Sequence, residues 1–349
     1  MVRGKTKVIV ALSGGVDSSV AAALLKEAGF DVRGIFMKLY KSVRFEKNER
    51  KARRIAKGLR IPLLSLDLRK EFKKRIIDHF LEEYREGKTP NPCVVCNKEI
   101  KFGLVLERAL KSGAGLIATG HYARLEGRKG RIALLKSRDK EKDQSYFLWQ
   151  LNQKQLGSIL FPVGGYKRDE VQKLAKRFKL PLSDSEKSVE ICFIDKTIDD
   201  FLEKNIRSKL GKIVDTEDKV IGKHQGLHLY TIGQRKGIKL PAGPYYVLDK
   251  NQRKNLLIVT RNQKDLYKKE LVAKNVSWIS GKEPKLPLKI KAKIRYRHLP
   301  ALATITGSPK PGNWKVRFAK LQRAITPGQS VVFYKGQEVL GGGIIKKTT

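Results

Sequence analysis

The chain has 349 residues, 40% hydrophobic and 31% charged, with only three cysteines: enough for two or three domains with real cores, no run of about 18 apolar residues to cross a membrane, and too few cysteines for a secreted disulfide framework. The odd, low cysteine count points to a reducing cytoplasm. Lys and Arg total 75 against 34 Asp and Glu, a net charge of +41, which attracts a polyanion, most commonly a phosphate backbone; a lysine-rich solvated surface is the blander alternative.

The first segment reads KVIVALSGGVDSSVAAALLKEAGFDVRGIFMKL. Val8 to Leu12 is a continuous apolar run, as in a strand covered on both faces. Ser19 to Lys26 predicts a helix ended by Gly29, and Asp31 to Leu39 a second strand, so the segment is a βαβ unit with a parallel sheet. The turn between, SGGVDSS, suits an anion. Gly14 and Gly15 let the backbone approach closely, the following helix aims its amides at the same point, and Ser13 and Ser18 add hydroxyl donors. Asp17 fits such a site if a cation such as Mg²⁺ accompanies the phosphates. Neither a Walker A loop nor a G-x-G-x-x-G dinucleotide fingerprint is present.

A basic helix and a third strand follow, in NERKARRIAKGLRIPLLSLDL. Phe72, Ile76, Ile77, Phe80 and Tyr84 then recur at helical spacing and predict a core-facing stripe. Gly87 ends that helix, and Thr89 to Pro92 predict an extended loop. Cys93 and Cys96 therefore fall on that loop or at the start of the next helix, where the N-terminus would lower a thiol's pKa. Structural zinc needs four ligands, and no second Cys-x-x-Cys or close histidine pair completes a set. A thioredoxin-like pair lacks the strand that should precede it. Gly120 and His121 follow the apolar run Leu116 to Ala118, at a strand end where α/β sheets bind ligands. Tyr166 to Phe178 predicts a lysine-rich helix with its exit over 179–182. From about Arg207 short strands dominate, and a second β-rich region from Ala273 suggests a small barrel. The expected architecture is α/β: a parallel-sheet catalytic domain over 1–206, a small β-rich central domain over 207–272, and a C-terminal β-barrel over 273–349, the last two placed to clamp a nucleic acid from its backbone side.

SGGVDSS resembles the pyrophosphate-binding PP-loop of the N-type ATP pyrophosphatases. Together with GKTPNPCVVCNKEIKFG, ATGHYAR, KDQSYFLWQL, SVEICFI, GQRKGI and TPGQS, in that order, the chain resembles the tRNA-specific 2-thiouridylases from Ser13 to about Gln329. The resemblance implies ATP-dependent replacement of the C2 oxygen of uridine 34 by sulfur, through adenylation, releasing AMP and pyrophosphate. It implies Cys96 as nucleophile and Cys192 as the persulfide carrier. ATP would meet Ala11, Leu12, Ser13, Gly14, Gly15, Val16, Asp17, Ser18, Met37 and Gly120. The target base and the rest of the tRNA would meet Asn91, Pro92, Cys93, His121, Lys142, Asp143, Gln144, Arg295, Tyr296 and Gln329. Implied partners are tRNAs of the Lys, Glu and Gln type and a sulfur-relay protein or cysteine desulfurase, with no membrane. Cys93 departs from the Asp common in the family, so an acid/base role at that position is in doubt. Three thiolates with an open fourth position would also suit a [4Fe–4S] cluster held by Cys93, Cys96 and Cys192. Two further readings stay open: another PP-loop adenylating ligase, which would not need the cysteines, and a basic RNA-binding protein with a structural metal.

Overall fold

The computed structural model describes residues 6–181, 191–241, 243–307 and 312–348. Residue 182 and the first three residues of SVEICFI lie outside the described residues. The N-terminal sheet is wholly parallel, in the order β3 (Leu63–Asp67), β2 (Asp31–Lys38), β1 (Lys7–Ala11), β4 (Leu116–Ala118), β7 (Ile159–Leu160). Alternate strand residues feed two cores. Val8, Val10, Val32 and Phe36 pack with α1 (Val16–Glu27) and α2 (Val43–Gly58) on one face. Ala11, Ile35 and Ile117 pack on the other with the helical run of residues 69–111. Burial on both faces explains why β1 reads as an apolar run without alternation.

Helix α1 begins at Val16, earlier than its apolar pattern suggests, so Val16, Asp17 and Ser18 form its first turn. Gly29, at φ +85°, ends it by bonding Lys26 O at 3.0 Å. The expected stripe Phe72, Ile76, Ile77, Phe80 and Tyr84 is buried. Its run includes a π turn at Lys73–Ile77. The helix expected over 166–178 spans Arg168–Arg177, because the Lys167 amide is taken by the Glu170 carboxylate at 2.7 Å and becomes the cap.

A second sheet has the order β10 (Tyr246–Asn251), β11 (Leu256–Thr260), β8 (Gly211–Val214), β9 (Val220–His224), around a core of Ile213, Val247, Leu257 and Val259. The C-terminal unit is a closed barrel of β12 (Tyr267–Trp278), β15 (Asn313–Arg323), β14 (Ala301–Gly307), β13 (Leu288–Lys293), β16 (Ser330–Lys335) and β17 (Glu338–Thr348), shut by β12 pairing with β17. The α/β domain, small central domain and barrel expected from the sequence are therefore present. One feature differs. The hairpin β5 (Ala123–Arg128) and β6 (Arg131–Lys136), early in the chain, extends the barrel sheet through Glu338↔Leu135 and Val339↔Leu134. Strand pairing across 200 positions leaves no local trace in the text. Among the described residues no helix is long and apolar enough to cross a membrane.

Candidate active site

The sheet order reverses between β1 and β4, and ligands of open α/β sheets gather at such a switch point. The turn after β1 is pinned by its own hydroxyls. Ser13 N and Oγ contact Ser18 Oγ at 3.2 and 3.1 Å, and Ser18 and Ser19 hydroxyls donate to Gly15 O. Gly15, the N-cap, makes no side-chain capping bond, so the first amides of α1 remain for an anion. Gly14 has φ +80°, and a Cβ there would meet Asn48 O of α2 at 2.6 Å. On the other side of the switch point, a Cβ on Gly120 would stand 2.5 Å from Ser18 N and 2.6 Å from Asp17 C. Ala11 and Leu12 are buried at the end of β1. Met37 lies near the same end of β2, beside Leu66.

Cys93 and Cys96 lie in the helix Pro92–Cys96, with Pro92 at its first position, and the helix continues as a π segment over Asn97–Val105. The loop alternative for the two thiols is thereby excluded. Their expected acidity is not found. Cys96 is buried among apolar side chains, and desolvation pushes its thiol up to about 11 against the opposing charge of Lys101. Cys93 is raised for the same reason. Burial outweighs the effect of the N-terminal amides at the start of this helical run.

Cys192 is exposed. Its neighbour Phe193 is buried and makes edge contacts with Phe72, Phe80 and Phe201 at centroid distances of 5.7, 5.4 and 5.3 Å. Arg44 of α2 donates to the carbonyls of Cys192 and Ile194. Cys192 thus lies on an exposed turn held by the buried Phe193 ring and by Arg44. Protein crowding around the sulfur raises the Cys192 thiol, and the charges of Cys96 and Cys93 raise it further while Lys101 lowers it. No disulfide joins the three. Among the described residues no group of three or more His, Cys, Asp or Glu side chains is placed to hold a metal ion.

Lys101 links the two halves of the site. Its charge acts on Cys93, Cys96, Cys192 and His121. His121 follows Gly120, which abuts the PP-loop. The His121 ring is buried against Phe102 and Phe161, with Nδ1 at 2.7 Å from Thr119 Oγ1. Desolvation first and Lys101 second hold it well below the usual range, so it is neutral.

The remaining predicted residues divide. Asn91 caps the cysteine helix and Pro92 is buried. Lys142 is exposed, whereas Asp143 is buried and accepts from Ser137 N and Ser145 Oγ at 3.1 and 3.0 Å. Gln144 brackets the Tyr122 backbone through its amide and side chain. Arg295 donates to Ile232 O and Ala324 O, both at 3.0 Å, and to Thr326, joining the barrel to the central unit. Tyr296 lies 4.5 Å from Phe147, ring to ring. Gln329 donates to Thr89 O at 2.8 Å. Sequence reasoning passed over Lys101, Tyr122, Arg44 and Arg168. The first two sit inside quoted motifs, but the other two carry no local signal.

Family comparison agrees with this geometry. The chain matches the families described as tRNA methyl transferase HUP domain over residues 6–196, tRNA methyl transferase PRC-barrel domain over 199–261, and Aminomethyltransferase beta-barrel domain over 268–345. It is 44% identical to a tRNA-specific 2-thiouridylase MnmA of Clostridium perfringens, covering 98% of this chain and 99% of that one. A protein of the same description from Clostridioides difficile is also 44% identical, covering 98% of each chain. A solved U34-tRNA thiolase NcsA from Methanococcus maripaludis, with its [4Fe-4S] cluster, is similar only at a TM-score of 0.36 and 19% identity, over 58% of this chain and 66% of that one.

Proposed function

We propose an activity for this chain, which belongs to the tRNA-specific 2-thiouridylase family: it uses ATP to replace the C2 oxygen of uridine 34 in tRNA with sulfur. The C2 oxygen attacks the α-phosphorus of ATP and pyrophosphate leaves, so C2 carries an adenylate. The PP-loop amides of Gly14 to Ser18 would hold the phosphates, and the Asp17 carboxylate would hold a Mg²⁺ that accompanies them, whose charge would offset theirs. The base reaches the pocket by leaving its stack, as its reacting atom requires. The terminal sulfur of a Cys192 persulfide bonds to C2. Cys96 thiolate then attacks Cys192 Sγ, the persulfide bond breaks with its electron pair on the transferred sulfur, and AMP departs. A Cys96–Cys192 disulfide remains, which an external dithiol reduces. A sulfur-relay protein or cysteine desulfurase reloads Cys192, and the reducing cytoplasm suits this cycle.

The observation that supports the reading is that the helical run carrying Cys93 and Cys96 packs through Phe102 on His121, ring centroids 5.8 Å apart, and that Gly120 beside His121 abuts the PP-loop. Adenylation and sulfur delivery need this adjacency, and a ligase without sulfur chemistry does not. Lys101 supplies the positive charge that a thiolate raised by burial lacks. This route needs two thiols and an external reductant, and no step in it is routed through an iron–sulfur cluster.

The test is anaerobic incubation with unmodified tRNA, Mg-ATP and a sulfur source, then mass spectrometry of the digested nucleosides. Wild type yields 2-thiouridine with AMP, Cys96→Ala and Cys192→Ala yield none, and Cys93→Ala retains activity. Loss in all three, with iron and acid-labile sulfide in the purified protein, would replace the persulfide route by a three-thiolate cluster. ATP cleavage to AMP without any 2-thiouridine would refute the substrate.

A further inference from the structure

The segment GYKRDEVQ attracted no chemical reading, since it is a lysine-rich helix start. In the fold that start is delivered to the PP-loop. The helix Arg168–Arg177 packs Val171 and Ala175 against Val20 and Ala21 of α1. Arg168, its first residue, therefore faces the first turn of α1, and its guanidinium forms an ion pair with Asp17. The Tyr122 hydroxyl donates to the same Asp17 oxygen at 2.9 Å and also bonds Arg168. The Arg168 backbone is fixed as well, its amide donating to Asp139 Oδ2 at 2.9 Å. Asp139 in turn accepts from the amides of Glu141 and Lys142.

This arrangement is more than a surface ion pair. Asp17 lies in the first turn of α1, among the amides that suit an anion, and an uncompensated carboxylate there would repel phosphate. Arg168 neutralises it. Both side chains keep access to solvent, at 29% for Arg168 and 36% for Asp17, so the pair can exchange partners at low cost. A guanidinium presents a planar fork of donors that matches phosphoryl oxygens in pairs. The loop also has a lysine on its opposite side, since Lys51 Cβ lies 3.2 Å from where a Gly14 Cβ would stand. The PP-loop thus lies between cationic residues of α2 and of the helix Arg168–Arg177.

We propose that Arg168 is a phosphate-binding residue of the nucleotide site, its guanidinium exchanging Asp17 for the β- and γ-phosphoryl oxygens when ATP binds and then holding the departing pyrophosphate. This rests on the ATP-using reading above. The freed Asp17 carboxylate, still bonded by Tyr122, would be available to a cation that accompanies the nucleotide. Tyr122 steers the exchange by holding the carboxylate in place while the guanidinium leaves.

Calorimetric titration of wild type and Arg168→Gln with Mg-ATP and with AMP tests this. AMP lacks the two phosphates assigned to Arg168, so the variant should lose Mg-ATP affinity about tenfold or more, the value of a charge-assisted contact, and keep AMP affinity within about twofold. Equal loss of both ligands, or loss of neither, would overturn the assignment and leave Arg168 a structural partner of Asp17. A second measurement needs no variant: phenylglyoxal modification of Arg168 in wild type, followed by peptide mass. Mg-pyrophosphate should slow it and AMP should not; equal rates with and without pyrophosphate would overturn the proposal even if Arg168→Gln failed to fold. A wild type that binds neither Mg-ATP nor pyrophosphate would refute the ATP-using reading itself, and this assignment with it.

Discussion

At Gly120 the β4 strand end and the PP-loop touch backbone to backbone, and a methyl group has nowhere to go. Gly120→Ala would drive a methyl group against the peptide bond between Asp17 and Ser18, part of a helix start that cannot flex like a side-chain tip. Overpacking of this kind costs about 1–3 kcal/mol. The expected outcome is a lower melting temperature together with ATP affinity reduced about tenfold, since the displaced atoms include a phosphate-facing amide. A variant with unchanged ATP binding would mean that the loop does not hold nucleotide at this edge. Single residues were unevenly legible. SGGVDSS and the Cys-x-x-Cys announced themselves because glycine, serine and cysteine have few structural reasons to cluster so. Arg44 and Arg168 did not, because arginine on a basic helix looks like any solvated charge until the fold brings it to Cys192 or Asp17.

At the scale of elements, the helix carrying the cysteines shows why local rules can point the wrong way. A helix N-terminus favours thiolate, and on that rule Cys96 should be acidic. The aromatic and aliphatic stripe of residues 72–84 packs against this segment, and apolar burial sets the opposite sign. The stripe was legible, but its consequence for a thiol on another helix was not. Because the folded pKa is raised, Cys96 stays protonated at neutral pH, and thiolate accumulates only as pH rises toward about 11. The same sign means that its protonated, buried form favours the fold below the ordinary thiol pKa, about 8.5, and that this contribution fades as pH climbs through the folded value. In a Cys93→Ala/Cys192→Ala background, alkylation of Cys96 by iodoacetamide should climb with pH without levelling before about pH 10. Lys101→Met should slow it at every pH, because the one cation that favours the thiolate is gone. A plateau below pH 8 would show that the thiol is activated after all. If Cys96 is the nucleophile, as proposed, the raised pKa implies that it becomes reactive only once bound substrate reorganises its surroundings.

Across the whole molecule the three units meet at one residue. Thr89, two residues before the cap of the cysteine helix, donates its amide to Pro327 O of the barrel at 3.0 Å and receives Gln329 Nε2 on its carbonyl. Its hydroxyl lies 3.2 Å from that of Thr231 in the central unit. The barrel and central unit therefore hold the approach to the thiols, and a tRNA bridging them would press on the catalytic loop. The chain's net charge of +41 would favour a tRNA backbone on such a surface. Many of the 34 acidic residues are already paired, as in Glu49 with Lys38 and Arg53, or Glu338 with Arg131, while the excess of 41 positive charges is spread along the chain. If that excess serves the phosphate backbone, tRNA affinity must fall steeply with salt as condensed counterions are released. Between 50 and 200 mM salt the loss should reach on the order of 10³-fold, the response of about six phosphate contacts. AMP binding, which neutralises little charge, should change far less over the same range. A shallow dependence for tRNA would return the lysines to a solvating role and leave the barrel and central unit to recognise tRNA by shape and base contacts.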